Sequence, residues 1–269
     1  MKARLKFSKT GSMRFIGHLD VMRYFQKAFR RANIRVSYSQ GYSPHQLMSF
    51  ASPLGIGLSS DGEYLDIVLD DEGMTDDFLE KINAQMNEEI TVKAFTRLQD
   101  DAKTSMSLLA ACDYMICAKP MQSTFLQDNA KRKQMICEIK EATSLLVTKQ
   151  TKRSEKIVDI RENIYCIADD ITSFEKETGQ IYGDLSLEQE YEPLLFLQLT
   201  AGSVVNIKPE LVLELMHEKL GQEFRWTDFQ IHRLEMYGDA NMVKGEIHTK
   251  HTTPPCRLVP LSAYEAVES

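Results

Sequence analysis

Four cationic side chains in the segment GHLDVMRYFQKAFRRA, residues 17–32, are spaced so that they would share one side of a helix. They are Arg23, Lys27, Arg30 and Arg31. Residues separated by about one or two helical turns lie on one face of a helix. No carboxylate is interleaved among these cations, so their mutual repulsion is uncompensated within the segment. Such a row can follow the phosphates of a nucleic acid, whereas the simpler interpretation is a solvated helix face.

A polar loop, YSQGYSPHQ at 38–46, follows this helix and adds groups that can bind unpaired bases. Tyrosine rings stack on bases, and amide and imidazole groups hydrogen-bond to base edges or ribose hydroxyls. The alternative is a turn whose tyrosines pack on a sheet edge. The candidate nucleic-acid-binding residues of the helix, the loop and the preceding segment are Arg14, His18, Arg23, Lys27, Arg30, Arg31, Tyr38, Gln40, Tyr42 and His45.

Two histidines of this set, His18 and His45, keep an enzymatic alternative open. His18 lies where the helix begins, close in sequence to Asp20, and an imidazole in this position can act as a general acid or base. A structural histidine is the competing interpretation. The sequence contains no P-loop, GxSxG, HExxH or protein-kinase signature, and GxG at Gly55 and Gly57 lacks the spacing of a dinucleotide fingerprint. The catalytic residues are therefore unknown, and a non-enzymatic function is favoured.

Charge is distributed unevenly along the chain, whose formal net charge is -7. Residues 1–46 carry ten basic residues against one acidic residue, Asp20, a net charge of +9, so the remainder is strongly acidic. Such asymmetry indicates a polyanionic partner for the N-terminal face. The alternative is that this face contacts acidic groups of the protein itself or of a partner protein.

Cysteine and histidine spacing predicts no metal site. The 5 cysteines contain no CxxC pair, and His248, His251 and Cys256 match no zinc-binding pattern. The sequence also has no apolar run of about 18 residues and no apolar core near its N-terminus of the kind that secretory signals have. We therefore expect a cytoplasmic protein without a membrane partner.

The order of elements in the first part of the chain predicts a β-α-β-β-α-β unit. Apolar residues at helical spacing give the helix 19–32 a core face, consisting of Met22, Phe25, Phe29 and Ala32. Thr75 is the expected N-cap of a second helix. The predicted strands are 4–8, 47–53, 63–69 and 90–98, and the predicted helices are 19–32 and 75–86.

A looser repetition of this order follows after a polar segment at 100–109. Its predicted strands are 112–119, 144–152, 192–201 and 229–237, and its predicted helices are 124–141 and 209–219. The predicted fold class is α+β, with two tandem ferredoxin-like modules whose antiparallel sheets carry helices on one face. We place the modules at 1–100 and 110–240, with an insertion near 150–190 and a C-terminal tail at 241–269.

Five short motifs follow one another within the first 60 residues: FSKTG, RFIGHLD, FRRA, YSQGYSPH and PLGIG. In these motifs the chain closely resembles the radical-SAM-linked protein family, a bacterial domain of unknown function encoded beside, or fused to, a radical SAM protein. VDIRENI and IKPELVLE fit the less distinctive second half of that family. The radical SAM motif CxxxCxxC is absent, so the chain resembles the stand-alone form.

The resemblance implies a radical SAM partner that uses S-adenosylmethionine and an iron–sulfur cluster, with no cofactor in this chain. A more distant, fold-level similarity is to the CRISPR repeat-processing endoribonucleases, which use tandem ferredoxin-like modules on RNA.

Three functional hypotheses follow. The favoured one is an RNA-binding accessory protein of a radical SAM enzyme, in RNA modification or ribosome-related processing. The alternatives are a module that docks on the radical SAM partner without RNA, and an RNA-cleaving or RNA-modifying enzyme.

Overall fold

The computed structural model describes residues 1–70, 77–120, 122, 124–150, 155–183, 185, 191–241, 249, 252 and 255–264. The predicted N-cap Thr75 and the histidines His248 and His251 lie outside the described residues. The chain divides into two compact units. The first consists of Met1–Ala110, Arg233–Ala240 and Arg257–Ser269, and the second of Ala111–His232 and Asn241–Cys256.

The elements of Met1–Ala110 follow the predicted order. They are β1 (Lys2–Lys9), α1 (His18–Arg31), β2 (Met48–Phe50), β3 (Ser59–Val68), α2 (Phe78–Asn83), β4 (Ile90–Arg97) and α3 (Ser105–Leu108). A 3₁₀ turn, Gly11–Phe15, connects β1 to α1. The short helix α3 occupies part of the polar segment 100–109, where the buried Ser105 donates its backbone N–H to Asp66 Oδ2 at 2.5 Å.

The elements of the rest of the chain are more numerous than predicted. They are β5 (Leu109–Ala118), α4 (Asn129–Glu141), β6 (Leu146–Gln150), β7 (Glu155–Asp159), β8 (Ile164–Ala168), α5 (Ile171–Thr178), β9 (Glu192–Thr200), α6 (Pro209–Lys219), β10 (Phe229–Asp239) and β11 (Leu258–Pro260). Within the described part of the chain, no helix combines the length and the apolar content that a membrane span requires.

The sheet of the first unit carries its strands in the order β4-β1-β3, and β2 also pairs with β3. All three pairings are antiparallel, with Leu5 opposite both Leu65 and Phe95. Because side chains alternate along a strand, Leu5 and its neighbours Ala3 and Phe7 share one face of β1. This face packs in one core with Phe25 and Phe29 of α1. The predicted fold class, α+β with antiparallel strands, is confirmed at this level.

Helix α1 ends at a left-handed residue, Asn33, whose φ is 55°. The Ile34 N–H donates to the Phe29 carbonyl at 2.9 Å, and the Asn33 N–H donates to the Arg30 carbonyl at 3.3 Å. These two bonds form a Schellman motif, and Ile34 and Phe29 are both buried beside it. This motif fixes the C-terminal end of α1, after which the chain leads into the loop 38–46.

The other face of β1 is charged, with Arg4 buried and Lys6 partly buried. Arg4 pairs with Asp66 at 2.7 Å, and its Nη1 donates to the Leu261 carbonyl at 2.9 Å. Lys6 forms an ion pair with Glu235 at 2.5 Å, and the Tyr64 hydroxyl also donates a hydrogen bond to Glu235 at 2.6 Å. Arg4 and Lys6 of β1 therefore form ion pairs with carboxylates of the first unit.

The second unit contains an antiparallel sheet in which β9 lies between β5 and β8. The predicted strand 144–152 is observed as β6, but among the described residues β6 pairs with β7 in a separate two-stranded sheet and not with a strand of the sheet that contains β9. The strand beside β9 is instead β8, whose five residues are all buried. The 3₁₀ turn Arg161–Asn163 separates it from β7.

Candidate nucleic-acid interface

The four predicted cations of α1 are all exposed in the first unit. Arg23 lies 3.5 Å from Asp20, and the two side chains are 66% and 62% exposed, so this pair contributes little to stability. The Arg30 Nε donates to the Gln26 carbonyl at 3.2 Å, and the Arg31 Nη2 donates to the Gln85 carbonyl at 2.6 Å. Backbone carbonyls therefore orient both guanidinium groups. Among the described residues, no carboxylate forms an ion pair with Lys27, Arg30 or Arg31, and we call these three the basic row.

Only part of the N-terminal positive charge belongs to this surface. Besides Arg4 and Lys6, Lys2 donates to the Ala102 carbonyl at 3.0 Å, and Lys9 donates to the Ile16 carbonyl at 2.9 Å. Burial lowers the pKa of the Lys9 ammonium, and the charge of Glu63 opposes that shift. The cations of β1 therefore contact carboxylates and carbonyls of the protein itself, as the alternative interpretation expected. The cations of α1 are exposed.

Arg14 and His18 lie at the N-terminal end of α1. The Arg14 guanidinium stands over the Phe15 ring, 5.0 Å from its centroid. The His18 ring meets Phe50 edge-on at 5.0 Å and lines a small depression. The nearby carboxylate Asp20 pairs with Arg23, and among the described residues no carboxylate hydrogen-bonds to His18. The contacts of His18 are those of a packed aromatic group.

A groove lies at the C-terminal end of the same helix. Arg30, Arg35, Tyr38, Gln46 and Asp70 line it. Its walls are held by backbone hydrogen bonds of 2.8–3.1 Å: Ser37 to Val68, Leu47 to Ser37, Ser39 to His45 and Asp70 to Arg35. Tyr38 and Gln46 form an antiparallel β-bridge, which pairs the start of the loop with its end. The groove is therefore built on a fixed backbone.

The remaining loop residues of the candidate set, Gln40, Tyr42 and His45, are exposed. Gly41, whose φ is 114°, lies between Gln40 and Tyr42. The His45 Nδ1 lies 2.9 Å from the Ser39 hydroxyl and 3.3 Å from the Ser43 carbonyl, so the imidazole is held by its own loop. Tyr42 is 111% exposed and Tyr38 is 50% exposed. The interpretation in which both tyrosines pack on a sheet edge is therefore wrong for Tyr42.

The structure divides the predicted set between the two ends of α1. A helix of 14 residues is about 20 Å long. Arg14 and His18 lie at one end, and Arg30, Arg31 and the loop at the other, so a single small site cannot contain them all.

Six lining residues of the groove were not in the predicted set: Asn33, Ile34, Arg35, Val36, Gln46 and Asp70. Arg35 precedes the loop, Gln46 is its last residue, and nothing in the sequence distinguishes the buried Gln46 from the exposed Gln40. Asp70 follows β3, and nothing in the sequence links it to the loop. Its Oδ1 accepts the Ser37 hydroxyl at 2.6 Å.

Metal binding finds no support in the described ranges. They contain no group of three or more His, Cys, Asp and Glu side chains that could hold a metal ion. Cys256, the one described member of the C-terminal trio, is partly buried, and its backbone N–H donates to the Thr249 carbonyl at 3.0 Å.

A family model described as "Uncharacterized protein conserved in bacteria (DUF2344)" matches residues 2–209 of the chain. No curated protein matches. Among solved structures, the chain is similar to a heavy metal efflux pump determined by X-ray crystallography, with 10% identity and a TM-score of 0.15. The match covers 86% of this chain and only 28% of the pump, and a likeness of this size carries no argument about fold or function.

Proposed function

We propose that this chain, which belongs to the family of uncharacterized proteins conserved in bacteria (DUF2344), binds RNA through α1 and the loop that follows it. The observation that carries the proposal is that Arg30 of the basic row and the half-exposed Tyr38 line one groove, and the fully exposed Tyr42 lies in the same loop as Tyr38. Cations without carboxylate partners attract phosphates, and tyrosines at half to full exposure are free to stack. Few other ligands need both.

Unpaired RNA fits this surface better than duplex. In an A-form duplex the base edges of the major groove are out of reach, whereas splayed bases can stack on aromatic rings. Gln40 and His45 lie in the same loop as the tyrosines and supply hydrogen-bonding groups for base edges or ribose hydroxyls.

The proposal includes a radical SAM enzyme as the partner that acts on the bound RNA. Support comes only from the resemblance of the five N-terminal motifs, and the S-adenosylmethionine and iron–sulfur cluster would belong to that partner. It also includes ferredoxin-like modules in both halves. In the first unit β1 lies between β4 and β3, and β2 pairs with β3, which supports this for the first module, although β3 also pairs with β10.

The test is a binding titration with single-stranded RNA over a range of salt concentrations. Each phosphate contact contributes about 0.7 to the slope of log affinity against log salt. We expect Lys27→Ala/Arg31→Ala to weaken binding and to reduce this slope by about 1.4. The matched control is Lys131→Ala/Lys133→Ala, which removes two exposed cations from α4 and should leave both quantities unchanged. Absence of binding by the unaltered protein at low salt contradicts the proposal.

A protein-docking function is the second candidate, favoured by exposed apolar residues at the other end of α1. Phe15, Leu19 and Ile56 are 60%, 60% and 62% exposed. The Gly57 N–H donates to the Arg14 carbonyl at 2.9 Å, so the segment of Ile56 lies against that of Phe15. If docking through these apolar residues is the whole function, Phe15→Glu/Leu19→Glu abolishes co-purification with the partner, and RNA binding is undetectable throughout.

An RNA-cleaving or RNA-modifying activity of this chain has less support, since His18 packs on a ring and His45 is held by a hydroxyl and a carbonyl. In this hypothesis His18→Ala or His45→Ala abolishes turnover and spares binding. Normal turnover in both variants rejects it.

A further inference from the structure

The Gln46 side chain in the groove holds a buried acceptor with no donor. Gln46 is only 7% exposed, and no hydrogen-bond donor among the described residues reaches its Oε1. A buried amide oxygen without a donor is destabilising, and such groups in native proteins require an explanation. A ligand that brings an N–H into the groove would supply the missing donor.

Tyr38 stands directly beside this amide. The two residues are opposite each other in an antiparallel bridge, so their side chains share one face, with Cβ atoms about 5 Å apart. The Tyr38 ring is 50% exposed and the Gln46 side chain is the deeper of the two. A flat ligand that stacks on the ring therefore directs an edge toward the amide.

The charged residues of the other walls are one carboxylate and two arginines. Asp70 is exposed, and its bond from the Ser37 hydroxyl uses only part of a carboxylate that can accept several hydrogen bonds. Arg30 and Arg35 are both exposed beside it. A bound ligand would thus meet two acceptors, an aromatic face and cations.

We propose that this groove is a pocket for a single unpaired guanine nucleotide, an inference that rests on the proposed RNA function and specifies its substrate. The guanine Watson–Crick edge carries two adjacent donors, N1–H and N2–H₂, that match Gln46 Oε1 and the Asp70 carboxylate. The neighbouring O6 and N7 are acceptors suited to an arginine. Tyr38 stacks on the base.

The other three bases fit less well. The Watson–Crick edges of adenine and cytosine present an acceptor next to their single amino group, and uracil presents one N–H between two acceptors. An acceptor that faces Gln46 Oε1 or the Asp70 carboxylate leaves the buried oxygen unsatisfied and adds repulsion. Arg30 belongs both to the basic row and to the groove, so the phosphate of the same nucleotide has a cation beside the base.

The experiment is a calorimetric titration of the full chain with the four nucleoside 5′-monophosphates. Guanosine monophosphate should bind at least about tenfold more tightly than each of the others, as one well-placed base contact allows. Gln46→Leu should abolish the preference, whereas Gln46→Glu retains an acceptor at the same place and should keep it. Gln134→Leu, the same chemical change at an exposed position of α4, is the control. Equal binding of the four monophosphates, or an unchanged preference in Gln46→Leu, overturns the inference.

Failure of this inference and failure of RNA binding are distinguishable. Single-stranded oligonucleotides of equal length, with and without guanine, should all bind through the basic row, and those with guanine should bind more tightly. Equal binding of all of them rejects the guanine pocket and keeps the RNA surface. Binding of guanosine monophosphate without binding of any oligonucleotide keeps the pocket and rejects the RNA surface.

Discussion

Arg4 and Asp66 form a buried ion pair between β1 and β3, with 2.7 Å from Nε to Oδ1 and a fully buried arginine side chain. The same guanidinium donates to the Leu261 carbonyl at 2.9 Å and to the Tyr264 carbonyl at 3.2 Å. Arg4 therefore stabilises the first unit and cannot contact RNA, although it lies in the basic N-terminal segment.

Removal of Arg4 should destabilise the protein strongly. Arg4→Met leaves Asp66 as a buried carboxylate without its cation, and breaking a buried pair in this way typically costs about 3–5 kcal/mol in the free energy of unfolding. Urea denaturation measures the loss. The control, Arg23→Ala, breaks an exposed pair and should change stability by no more than about 0.5 kcal/mol. Equal effects of the two substitutions would contradict the structural role of Arg4.

Glu89 should make the stability of the first unit sensitive to acid. The Ser12 hydroxyl and N–H and the Met13 N–H donate to its carboxylate and hold its pKa below the ordinary value of 4.5. A lowered folded-state pKa means that this contribution is present above about pH 4.5 and is lost as the pH falls through the folded-state pKa. The urea midpoint of Glu89→Gln should therefore lie below that of the unaltered protein at pH 7 and approach it near pH 3. A constant difference at both pH values would exclude this linkage.

A side chain at Gly11 should destabilise the protein while Glu89 is present. Gly11 has φ 51°, and an added Cβ would overlap the Glu89 carboxylate. Gly11→Ala should cost about 1–3 kcal/mol, part from the left-handed backbone and part from displacing that carboxylate. Substituting alanine for Glu89 as well removes the overlap, so the double variant should be more stable than the sum of the single effects predicts. Strict additivity in denaturation midpoints would argue against the clash.

Cysteine reactivity should report the burial of β5. Burial raises the pKa of the Cys117 thiol to about 12, whereas Cys137 on α4 is exposed. Since the thiolate is the nucleophile, iodoacetamide at about pH 8 should alkylate Cys137 in the folded protein and Cys117 only after unfolding. Peptide mass spectrometry identifies the modified residue, and rapid alkylation of Cys117 in the folded protein would show that β5 is accessible.

The sequence predicted α1 well because its two faces differ so sharply. Phe25 and Phe29 recur at helical spacing between exposed cations, and the observed helix, His18–Arg31, lies within one residue of the predicted bounds. Helix α5 was missed although both of its ends are marked. Asp170 caps it by accepting the Ser173 N–H at 2.8 Å, and Gly179 ends it at φ 71°.

The groove could not be predicted because its residues meet only through tertiary pairing. The side chain of Gln46 is placed by the bridge to Tyr38, and Asp70 arrives from the end of β3. Likewise, a count of charges cannot separate Arg4, paired with Asp66, from Lys27, which remains at the surface. The charge pattern predicted the cationic face of α1. Only the contacts of the folded chain show which N-terminal cations are exposed and which are paired in the interior.

The most direct test of RNA binding at α1 and its loop is ultraviolet crosslinking of the protein to cellular RNA, followed by mass spectrometry of the crosslinked peptides. Crosslinks should concentrate on peptides that contain residues 36–47, where Tyr38 and Tyr42 are available for stacking. The Lys27→Ala/Arg31→Ala variant should lose most of them, and the Lys131→Ala/Lys133→Ala control should keep them. Crosslinks confined to other segments, or none at all, would contradict the proposed RNA surface.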